Sequence, residues 1–406
     1  MSSRIVVVGG GTAGARLAER LPVTVLGEEP HAPYNRVLLA DVLAGRYGPE
    51  VIALPSPRGE PVRRGARVTG IDRAARVVHC ADGEAVAYDR LVLATGSNPV
   101  LPPLRGLVGG ALPSGVHAFR TLDDCLALDA LLRAARAQGP GEPAGASGAV
   151  RAVVIGGGLL GVSAARALAS RGAEVVLAQQ GEHLMERQLD ANAAELLRGH
   201  LEARGVEVHT ECRVRGLRCA AGAVRAVELA DGFVLDADIV VIACGVRPRT
   251  GLALEAGLDV RRGIVVDDQL RTSDPYIHAV GDCAEHEGRL YGLAGAALEQ
   301  ADVLADVLGG GDAAYRGTRA LTRLSLEALE LAAFGETTPL PGDDTVQLAD
   351  ATRSAYRKVV VRGDRLVGGV LLGDLGAVDA LARAWEVDED LPPAPLLHLL
   401  THDGGF

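Results

Sequence analysis

The chain has 406 residues, of which 48% are hydrophobic, and its formal net charge is −11 at pH 7. This length is enough for two or three domains with sizeable cores, and the composition is that of a globular chain. The acidic net charge argues against nucleic acid as the main partner. The six cysteines contain no Cys-x-x-Cys pair, which argues against a zinc site, an iron–sulfur site or a redox dithiol. Their pattern favours a reducing compartment.

The N-terminal part follows a strand, turn, helix, strand plan. Residues 4–8 are a β-branched run that predicts a buried parallel strand, residues 12–20 predict a short helix, and residues 23–26 a second strand. Residues 67–93 alternate apolar and polar positions, which predicts a β-meander that ends in the buried segment LVLATGSNP.

The same plan starts again in the middle of the chain. A helix over 121–137 and a Pro/Gly-rich loop over 138–149, predicted to be flexible, come first. A strand over 152–155, a helix over 159–171 and a strand over 174–178 then repeat the N-terminal order. The chain therefore contains an internal repeat of a whole α/β unit.

The remaining segments complete the second copy of the repeat and add a separate C-terminal part. A second meander, over roughly 206–235, leads into DIVVIACGVRP, which echoes LVLATGSNP. Residues 276–283 are predicted to form a buried strand that ends in Gly-Asp. After about residue 311 an Arg-Gly-Asp-Arg turn precedes a strand, and a helix over roughly 377–386 follows. This pattern favours a small α+β C-terminal domain.

A glycine motif, Gly9-x-Gly11-x-x-Gly14, lies between the first strand and the first helix. The first glycine allows a tight turn, the second lets the backbone approach a pyrophosphate, and the third lets the helix and strand pack closely. The pyrophosphate would lie at the helix N-terminus, against free N–H groups. Glu28, at the end of the second strand, could accept hydrogen bonds from an adenosine ribose. The motif predicts a dinucleotide site, and an ordinary glycine-rich turn is the alternative.

A second motif, Gly156-x-Gly158-x-x-Gly161, has the same placement. The acid expected at the strand end is replaced by Gln179-Gln180, which can bond a ribose hydroxyl but does not repel a 2′-phosphate. The nearest arginine that could attract that phosphate is Arg187. The second motif therefore predicts a nucleotide site with a slight preference for NADH over NADPH. A decayed duplicate that binds nothing is the alternative.

Two adjacent dinucleotide sites suit an enzyme that holds FAD in one and NADH or NADPH in the other. A flavin accepts a hydride from a nicotinamide and releases electrons singly or in pairs. This chemistry needs orientation more than acid or base groups, so we predict no catalytic triad and no metal site.

Several motifs together resemble one group of reductases. They are GGGTAG, GEEPHAPYNR, LATGSNP, FRTLDD, GGGLLG, CGVRP and AVGDC, between residue 5 and about residue 310. The sequence resembles the flavoprotein reductases with two dinucleotide-binding domains, which are related to the pyridine nucleotide-disulfide oxidoreductases. Within them it is most similar to the FAD/NAD(P)H module at the N-terminus of assimilatory nitrite reductase large subunits, through PYNRVLLADVLAG (33–45), LMERQLD (184–190) and YGLAGAALEQADVLA (291–305).

The resemblance implies a fold and a domain order. It implies an α/β protein with two Rossmann-like dinucleotide-binding domains, for FAD and for NAD(P)H, and a small α+β C-terminal domain. We expect a discontinuous FAD domain over 1–117 and 249–310. We expect the NAD(P)H domain over 118–248 and the C-terminal domain over 311–406.

The resemblance also implies which residues hold the cofactors. The expected cofactor-binding residues are Gly9, Gly11, Thr12, Ala13, Gly14, Glu28, Glu29, Arg36, Thr95, Gly96, Arg120, Gly281, Asp282, Gly156, Gly158, Leu159, Leu160, Gly161, Gln179 and Gly245. Asp282 is similar to the aspartate that bonds the FAD ribityl chain, with a turn cap as the alternative. Arg36 and Arg120 resemble arginines that contact FAD, with surface ion pairs as the alternative. Thr95-Gly96 resembles a turn close to FAD, and Gly245 is its counterpart near the nicotinamide nucleotide.

Departures from the family narrow the expected activity. Residues 33–45 contain no cysteine, so disulfide reduction is not expected. Asp41 stands where ferredoxin and rubredoxin reductases usually have a lysine near the flavin. Nitrite reductase large subunits continue into an iron–sulfur and sirohaem region, for which this chain has no cysteine cluster, so we expect a separate electron-donating subunit.

The resemblance therefore implies an FAD-dependent NAD(P)H oxidoreductase that passes electrons to a protein acceptor, either a nitrite or nitrate reductase component or a small iron–sulfur protein. The alternatives are a ferredoxin- or rubredoxin-type reductase, an NADH oxidase, and a redox-sensing flavoprotein with slow turnover. The first strand begins by Ile5, which predicts that there is no signal peptide. The apolar runs are shorter than the ~18 residues of a membrane helix, so we predict a cytoplasmic protein without membrane contact. The C-terminal domain could provide a homodimer surface.

Overall fold

The computed structural model describes most of the chain. The described residues are 3–55, 61–107, 112–137, 149–319, 321–350, 352–388, 390–391 and 400. The predicted loop 138–149 lies outside the described residues, except for its last position. Within the described ranges, no helix is both long enough and apolar enough to cross a membrane.

The strands and helices are numbered in chain order. Up to residue 137 they are β1 (Ile5–Val8), α1 (Thr12–Arg20), β2 (Thr24–Gly27), α2 (Leu39–Leu43), β3 (Arg63–Arg64), β4 (Val68–Asp72), β5 (Val77–Cys80), β6 (Ala85–Ala87), β7 (Arg90–Leu93), β8 (Ser97–Pro99), β9 (Val116–His117) and α3 (Leu122–Ala137). From residue 149 to 319 they are β10 (Arg151–Ile155), α4 (Leu159–Ser170), β11 (Glu174–Ala178), α5 (Ala191–Glu202), β12 (Val206–His209), β13 (Val214–Ala220), β14 (Ala223–Leu229), β15 (Val234–Asp236), β16 (Ile239–Ile242), β17 (Val246–Pro248), α6 (Gly251–Glu255), β18 (Ile264–Val266), β19 (Ile277–Ala279), β20 (Ala284–His286) and α7 (Ala294–Leu308). After residue 320 they are β21 (Leu321–Leu326), β22 (Leu329–Gly335), β23 (Asp344–Asp350), β24 (Ala355–Arg362), β25 (Arg365–Leu372) and α8 (Val378–Val387).

The first of two compact units contains Met1–Val42, Tyr47–Pro99 and Val246–Thr318. Its main sheet has five parallel strands in the order β19-β7-β1-β2-β3. All four residues of β1 are buried, and α1 packs against α7. A central parallel strand is covered on both faces, which explains its unbroken β-branched sequence.

The second unit contains Leu43–Arg46, Val100–Gly245 and Arg319–Phe406. It has its own five-stranded parallel sheet, in the order β12-β11-β10-β16-β9. β10 takes the central place that β1 has in the first unit, and α4 follows it as α1 follows β1. The predicted repeat and the Rossmann-like α/β class are therefore confirmed.

Each unit also carries a three-stranded antiparallel sheet. The two sheets are β4-β5-β6 and β13-β14-β15. The prediction that the second meander starts at residue 206 is wrong, because β12 pairs parallel with β11 in the main sheet. β12 is the edge strand of that sheet, and its positions alternate between buried and more exposed. The same alternation is typical of the antiparallel strands of a meander.

A second correction concerns the predicted strand 276–283. β19 ends at Ala279, and Gly281–Cys283 form a short 3-10 turn. Gly281 has φ +77°, a conformation that turns the chain out of the extended direction. The strand therefore stops before the Gly-Asp pair.

The C-terminal part of the second unit is an antiparallel sheet covered by a helix. Its strand order is β21-β22-β25-β24-β23, and α8 packs against β22 and β25. The Phe334 and Trp385 rings lie 5.3 Å apart in a core that also includes Leu381. Gly363, with φ +64°, makes the predicted turn between β24 and β25. The predicted α+β character is confirmed.

Polar contacts within the second unit attach this sheet to the elements around β10. Asp190 accepts hydrogen bonds from the Lys358 ammonium at 2.7 Å and from the Tyr356 hydroxyl at 2.6 Å. The buried Arg166 on α4 pairs with Glu327, in the β21–β22 hairpin, at 3.3 Å. The antiparallel sheet is thus fixed by charged groups as well as by its own core.

Candidate functional site

The first glycine turn joins β1 to α1 with almost no free space around two of its glycines. Gly9 has φ +122°, and a Cβ there would overlap the Ala94 carbonyl oxygen. A Cβ at Gly14 would overlap the Gly9 carbonyl oxygen. These two positions need glycine for the fold itself, as the motif predicts.

Gly11 is different, because the space beside it is open. No heavy atom lies within 4 Å of the position that its Cβ would take, and its φ of −76° is an ordinary one. Gly11 is the N-cap of α1 and has no side chain to bond the first N–H groups of the helix, around Thr12 and Ala13. An open helix N-terminus of this kind fits a pyrophosphate.

Two carboxylates follow β2, and both have cationic partners. Glu28 is exposed and makes an ion pair with Arg249. Glu29 accepts a hydrogen bond from the Tyr34 hydroxyl at 2.6 Å and makes an ion pair with Arg36. Glu28 is thus held at the strand end where a ribose is expected. The contact of Arg36 with FAD stays a prediction.

The chain segments after β7 and β19 meet beside the first glycine turn. Asp282 accepts a hydrogen bond from the Ser97 hydroxyl at 2.8 Å, and the Gly281 N–H donates to the side-chain oxygen of Gln300 at 2.7 Å. A Cβ on Gly281 would lie 3.5 Å from the Ala13 Cβ on α1. The structure therefore brings Asp282 and Gly281 to the same sheet edge as Gly11.

Thr95 and Gly96 form the turn that leads from β7 into β8. The Thr95 hydroxyl donates to the Arg249 carbonyl oxygen at 2.7 Å, and the Arg249 N–H donates to the Gly96 carbonyl oxygen at 2.9 Å. Gly96 has φ +71° and open space where a Cβ would be. The turn is fixed by Arg249, the residue that also holds Glu28.

The second glycine turn repeats this geometry in the second unit. Gly156 has φ +108°, and its Cβ would lie 2.5 Å from the Ala243 carbonyl oxygen. A Cβ on Gly161 would overlap the Gly156 carbonyl oxygen. Gly158 is the N-cap of α4, and no heavy atom lies within 4 Å of the position that its Cβ would take. The same space for a pyrophosphate is therefore present twice.

The surroundings of the second turn include the other predicted residues. Leu159 and Leu160 are the first two residues of α4. Gln179 follows β11, and its side-chain oxygen accepts a hydrogen bond from the Gly157 N–H at 2.7 Å. Gly245 lies after β16 with φ +96° and open space beside it. These residues share the carboxyl edge of the second parallel sheet.

Arg120 belongs to the second unit, near the start of α3. Its backbone N–H donates to the Asp124 carboxylate at 2.9 Å. Its predicted contact with FAD stays a prediction.

Cys283 and Cys244, which lie near strand ends, and Cys125, which lies within α3, are protected thiols. The Cys283 Sγ donates to the Leu93 carbonyl oxygen at 3.3 Å, and burial raises its pKa. Burial also raises the pKa of Cys244, and it raises the pKa of Cys125 to about 12. A thiolate is the reactive form of cysteine, so none of the three is prepared for disulfide exchange.

Two residues of these sites, Arg249 and Glu186, are not predicted by the sequence motifs. Arg249 pairs with Glu28 across 221 positions of the chain, and Glu186 lies 3.4 Å from the side-chain nitrogen of Gln179. Arg249 directly follows CGVRP and Glu186 lies within LMERQLD, but neither motif indicates which side chain they meet. Only the fold brings these pairs together.

Comparison with known protein families assigns the chain. Residues 3–301 match the family described as pyridine nucleotide-disulphide oxidoreductase. Residues 321–387 match the rubredoxin NAD+ reductase C-terminal domain. The chain belongs to the pyridine nucleotide-disulphide oxidoreductase family, which confirms the resemblance and implies FAD and NAD(P)H as the two dinucleotides.

Individual relatives agree with this assignment. The chain is 34% identical over 420 residues to an NAD(P)H nitrite reductase of Bacillus subtilis, which covers 98% of this chain and 49% of the relative. It is 34% identical over 385 residues to the assimilatory nitrate reductase electron transfer subunit of the same organism, which covers 91% of this chain and 48% of the relative. The chain therefore spans about half the length of these relatives.

A solved structure gives the same result for the fold. A chain of the crystal structure of the covalent putidaredoxin reductase–putidaredoxin complex superposes with a TM-score of 0.85, at 25% identity, over 98% of both chains. The similarity extends over both parallel sheets and the C-terminal sheet. The fold predicted from the repeated glycine motifs is thus that of known reductases.

Proposed function

We propose that this protein is an FAD-dependent NAD(P)H oxidoreductase that passes electrons to a redox protein acceptor, a component of a nitrite or nitrate reductase system. The first unit would hold FAD and the second unit NADH or NADPH. The single observation that carries the proposal is the duplicated glycine turn. In each copy the outer glycines are closely packed, whereas Gly11 and Gly158 have open space at a helix start.

The residues of the first unit would bind and orient FAD. Gly11 and the start of α1 would take the pyrophosphate, because their N–H groups have no side-chain cap. Glu28, held by Arg249, would accept hydrogen bonds from the adenosine ribose. Asp282, directed by Ser97, would bond the ribityl chain. Bound FAD supplies the two-electron acceptor that can release electrons singly.

The residues of the second unit would position the pyridine nucleotide. Gly158 and the start of α4 would take its pyrophosphate, and Gln179 would lie beside the adenosine ribose. Gly245 has open space beside the same sheet edge. The protein groups named here bind and orient, which is what hydride transfer requires of an enzyme.

The relatives support the identity of the acceptor. Two of them carry nitrite reductase and nitrate reductase electron transfer subunit in their names, with 34% identity each. A second candidate acceptor is a small iron–sulfur or rubredoxin-type protein, which the match of residues 321–387 to a rubredoxin NAD+ reductase C-terminal domain favours. Adding each purified acceptor to the NADH-reduced protein distinguishes the two by the rate of flavin reoxidation.

The test of the two sites uses one valine in each. Gly11→Val should abolish FAD binding while the chain still folds, because no protein heavy atom lies within 4 Å of the added Cβ and the side chain occupies the pyrophosphate position. Gly158→Val should keep FAD and lose its reduction by NADH or NADPH. Gly70→Val and Gly199→Val are the matched controls, since both glycines also have open space beside them and lie outside the sites.

The outcomes separate the two assignments. Flavin content and thermal stability are measured for all four variants, and flavin reduction is followed without oxygen. A Gly11→Val protein with full flavin contradicts the first site. Unchanged reduction of Gly158→Val contradicts the second site. Flavin loss in the controls as well would show that valine acts through folding. It would contradict the conclusion that the open space beside Gly11 and Gly158 holds a pyrophosphate.

A further inference from the structure

The strand end after β11 has a neutral Gln179 where nucleotide-binding sheets usually have an acid. The Gln179 side-chain oxygen accepts a hydrogen bond from the Gly157 N–H at 2.7 Å, within the glycine turn. This contact directs the side-chain nitrogen the other way, where it lies 3.4 Å from a carboxylate oxygen of Glu186. The amide of Gln179 therefore links the glycine turn to a carboxylate.

Glu186 is held in this place by its own loop. Its second carboxylate oxygen accepts a hydrogen bond from the Glu182 N–H at 2.8 Å. The carboxylate lies over Gly181, where a Cβ would overlap it. The loop is anchored by the buried Met185, whose N–H donates to the Gly157 carbonyl oxygen at 2.9 Å. The position of Glu186 is thus fixed relative to the glycine turn.

The segments around this strand end are acidic. Residues 180–187 and 207–211 contain four glutamates and one arginine, Arg187. A 2′-phosphate carries roughly −1.5 to −2 charges at neutral pH, as phosphate monoesters do. Like charges close to a protein surface repel, and the repulsion grows as the distance falls.

We propose that Glu186 supplies, from the loop after β11, the carboxylate that the strand end lacks, and that it selects NADH over NADPH. It would accept a hydrogen bond from the adenosine ribose hydroxyl of NADH and repel the 2′-phosphate of NADPH. Gln179 is then a positioning residue that bridges the turn and the carboxylate. This inference rests on the proposed function, in which the second unit holds the pyridine nucleotide.

The test measures equilibrium binding of NAD+ and NADP+ to the purified protein, together with flavin reduction by NADH and NADPH. Wild type should bind NAD+ more tightly than NADP+. Glu186→Gln keeps the size of the side chain and removes its charge, and it should reduce this preference about tenfold. Glu195→Gln, which removes an exposed carboxylate on α5, is the matched control and should change the preference by less than about twofold, as expected for a charge screened by solvent.

A second variant shows whether Glu186→Gln acts through the loss of charge or through a change of structure. Gln179→Glu combined with Glu186→Gln places the carboxylate at the strand end and should restore the preference for NAD+. An unchanged preference in Glu186→Gln, with NAD+ still bound, overturns the inference and leaves the proposed function intact. A wild-type protein that binds neither nucleotide contradicts both. Equal binding of both nucleotides by wild type contradicts the inference alone.

Discussion

Removing the Asp190 carboxylate should destabilise the second unit strongly. Asp190 caps α5 by accepting the Ala193 N–H at 3.0 Å, and it also accepts from Lys358 and Tyr356 on β24. Lys358 is only 8% exposed. Asp190→Ala therefore leaves a buried ammonium group and a buried hydroxyl without their acceptor, and it removes a helix cap.

The size of the effect follows from these contacts. Breaking a buried ion pair by removing one partner costs about 3–5 kcal/mol. Loss of the N-cap is part of the same change and typically costs about 1 kcal/mol alone. For a unit of this size each kcal/mol lowers the melting temperature by roughly 2–4 °C, so Asp190→Ala should lower it by at least about 6 °C.

Thermal unfolding followed by circular dichroism measures this shift. Asp379→Ala is the matched control, because Asp379 pairs with Arg323 at the surface and its side chain is 77% exposed. Such exposed pairs contribute about 0–1 kcal/mol. Equal and small shifts for the two variants would refute the reasoning, since they would mean that the Asp190 contacts add no more than a surface pair.

The same carboxylate predicts a pH dependence. Burial alone would raise the pKa of Asp190, but hydrogen bonds from Lys358, Tyr356 and the Ala193 N–H hold it below its ordinary value. A lowered folded-state pKa stabilises the protein above the unfolded-state pKa of about 3.9, and the contribution is lost as the pH falls through the folded-state value. The difference between wild type and Asp190→Ala should be full at neutral pH and shrink only below about pH 4.

Two further substitutions and one labelling experiment have defined outcomes. Glu28→Ala should weaken FAD binding about tenfold, as expected for one hydrogen bond to a charged group, and an unchanged dissociation constant would contradict the ribose assignment. Gly14→Ala should cost about 2 kcal/mol or more through overlap with the Gly9 carbonyl oxygen, so a wild-type melting temperature would contradict the geometry. The exposed Cys219 should react with a thiol reagent in the native protein. The buried Cys125, whose pKa is raised to about 12 by burial, should react only after unfolding. Rapid labelling of Cys125 in the native protein would contradict its burial.

The features predicted well from the sequence are those that local sterics determine. The glycine turns followed from the need for positive φ at Gly9 and Gly156 and for close packing at Gly14 and Gly161. Helix α1 begins and ends at the predicted residues, because the glycine turn sets its start. The repeat of the two sheets followed from the repeat of these local patterns.

The features that the sequence did not reveal depend on residues far apart in the chain or on sheet position. Asp190 meets Lys358 across 168 positions, and the LMERQLD motif does not indicate its partner. β12 looked like a meander strand because only one of its faces is fully covered at the sheet edge. Gln179 and Glu186 are only seven positions apart, but their contact depends on the orientation of the Gln179 side-chain amide, which the Gly157 N–H sets.

The proposed two-site function can be tested by an anaerobic titration of the purified protein with NADH and, separately, with NADPH, in which the visible absorbance of the flavin is followed. We expect a flavin-containing protein that a stoichiometric amount of NADH bleaches, with slower bleaching by NADPH. A protein without flavin, or a flavin that neither nucleotide reduces, would contradict this function and leave the second glycine turn with a purely structural role.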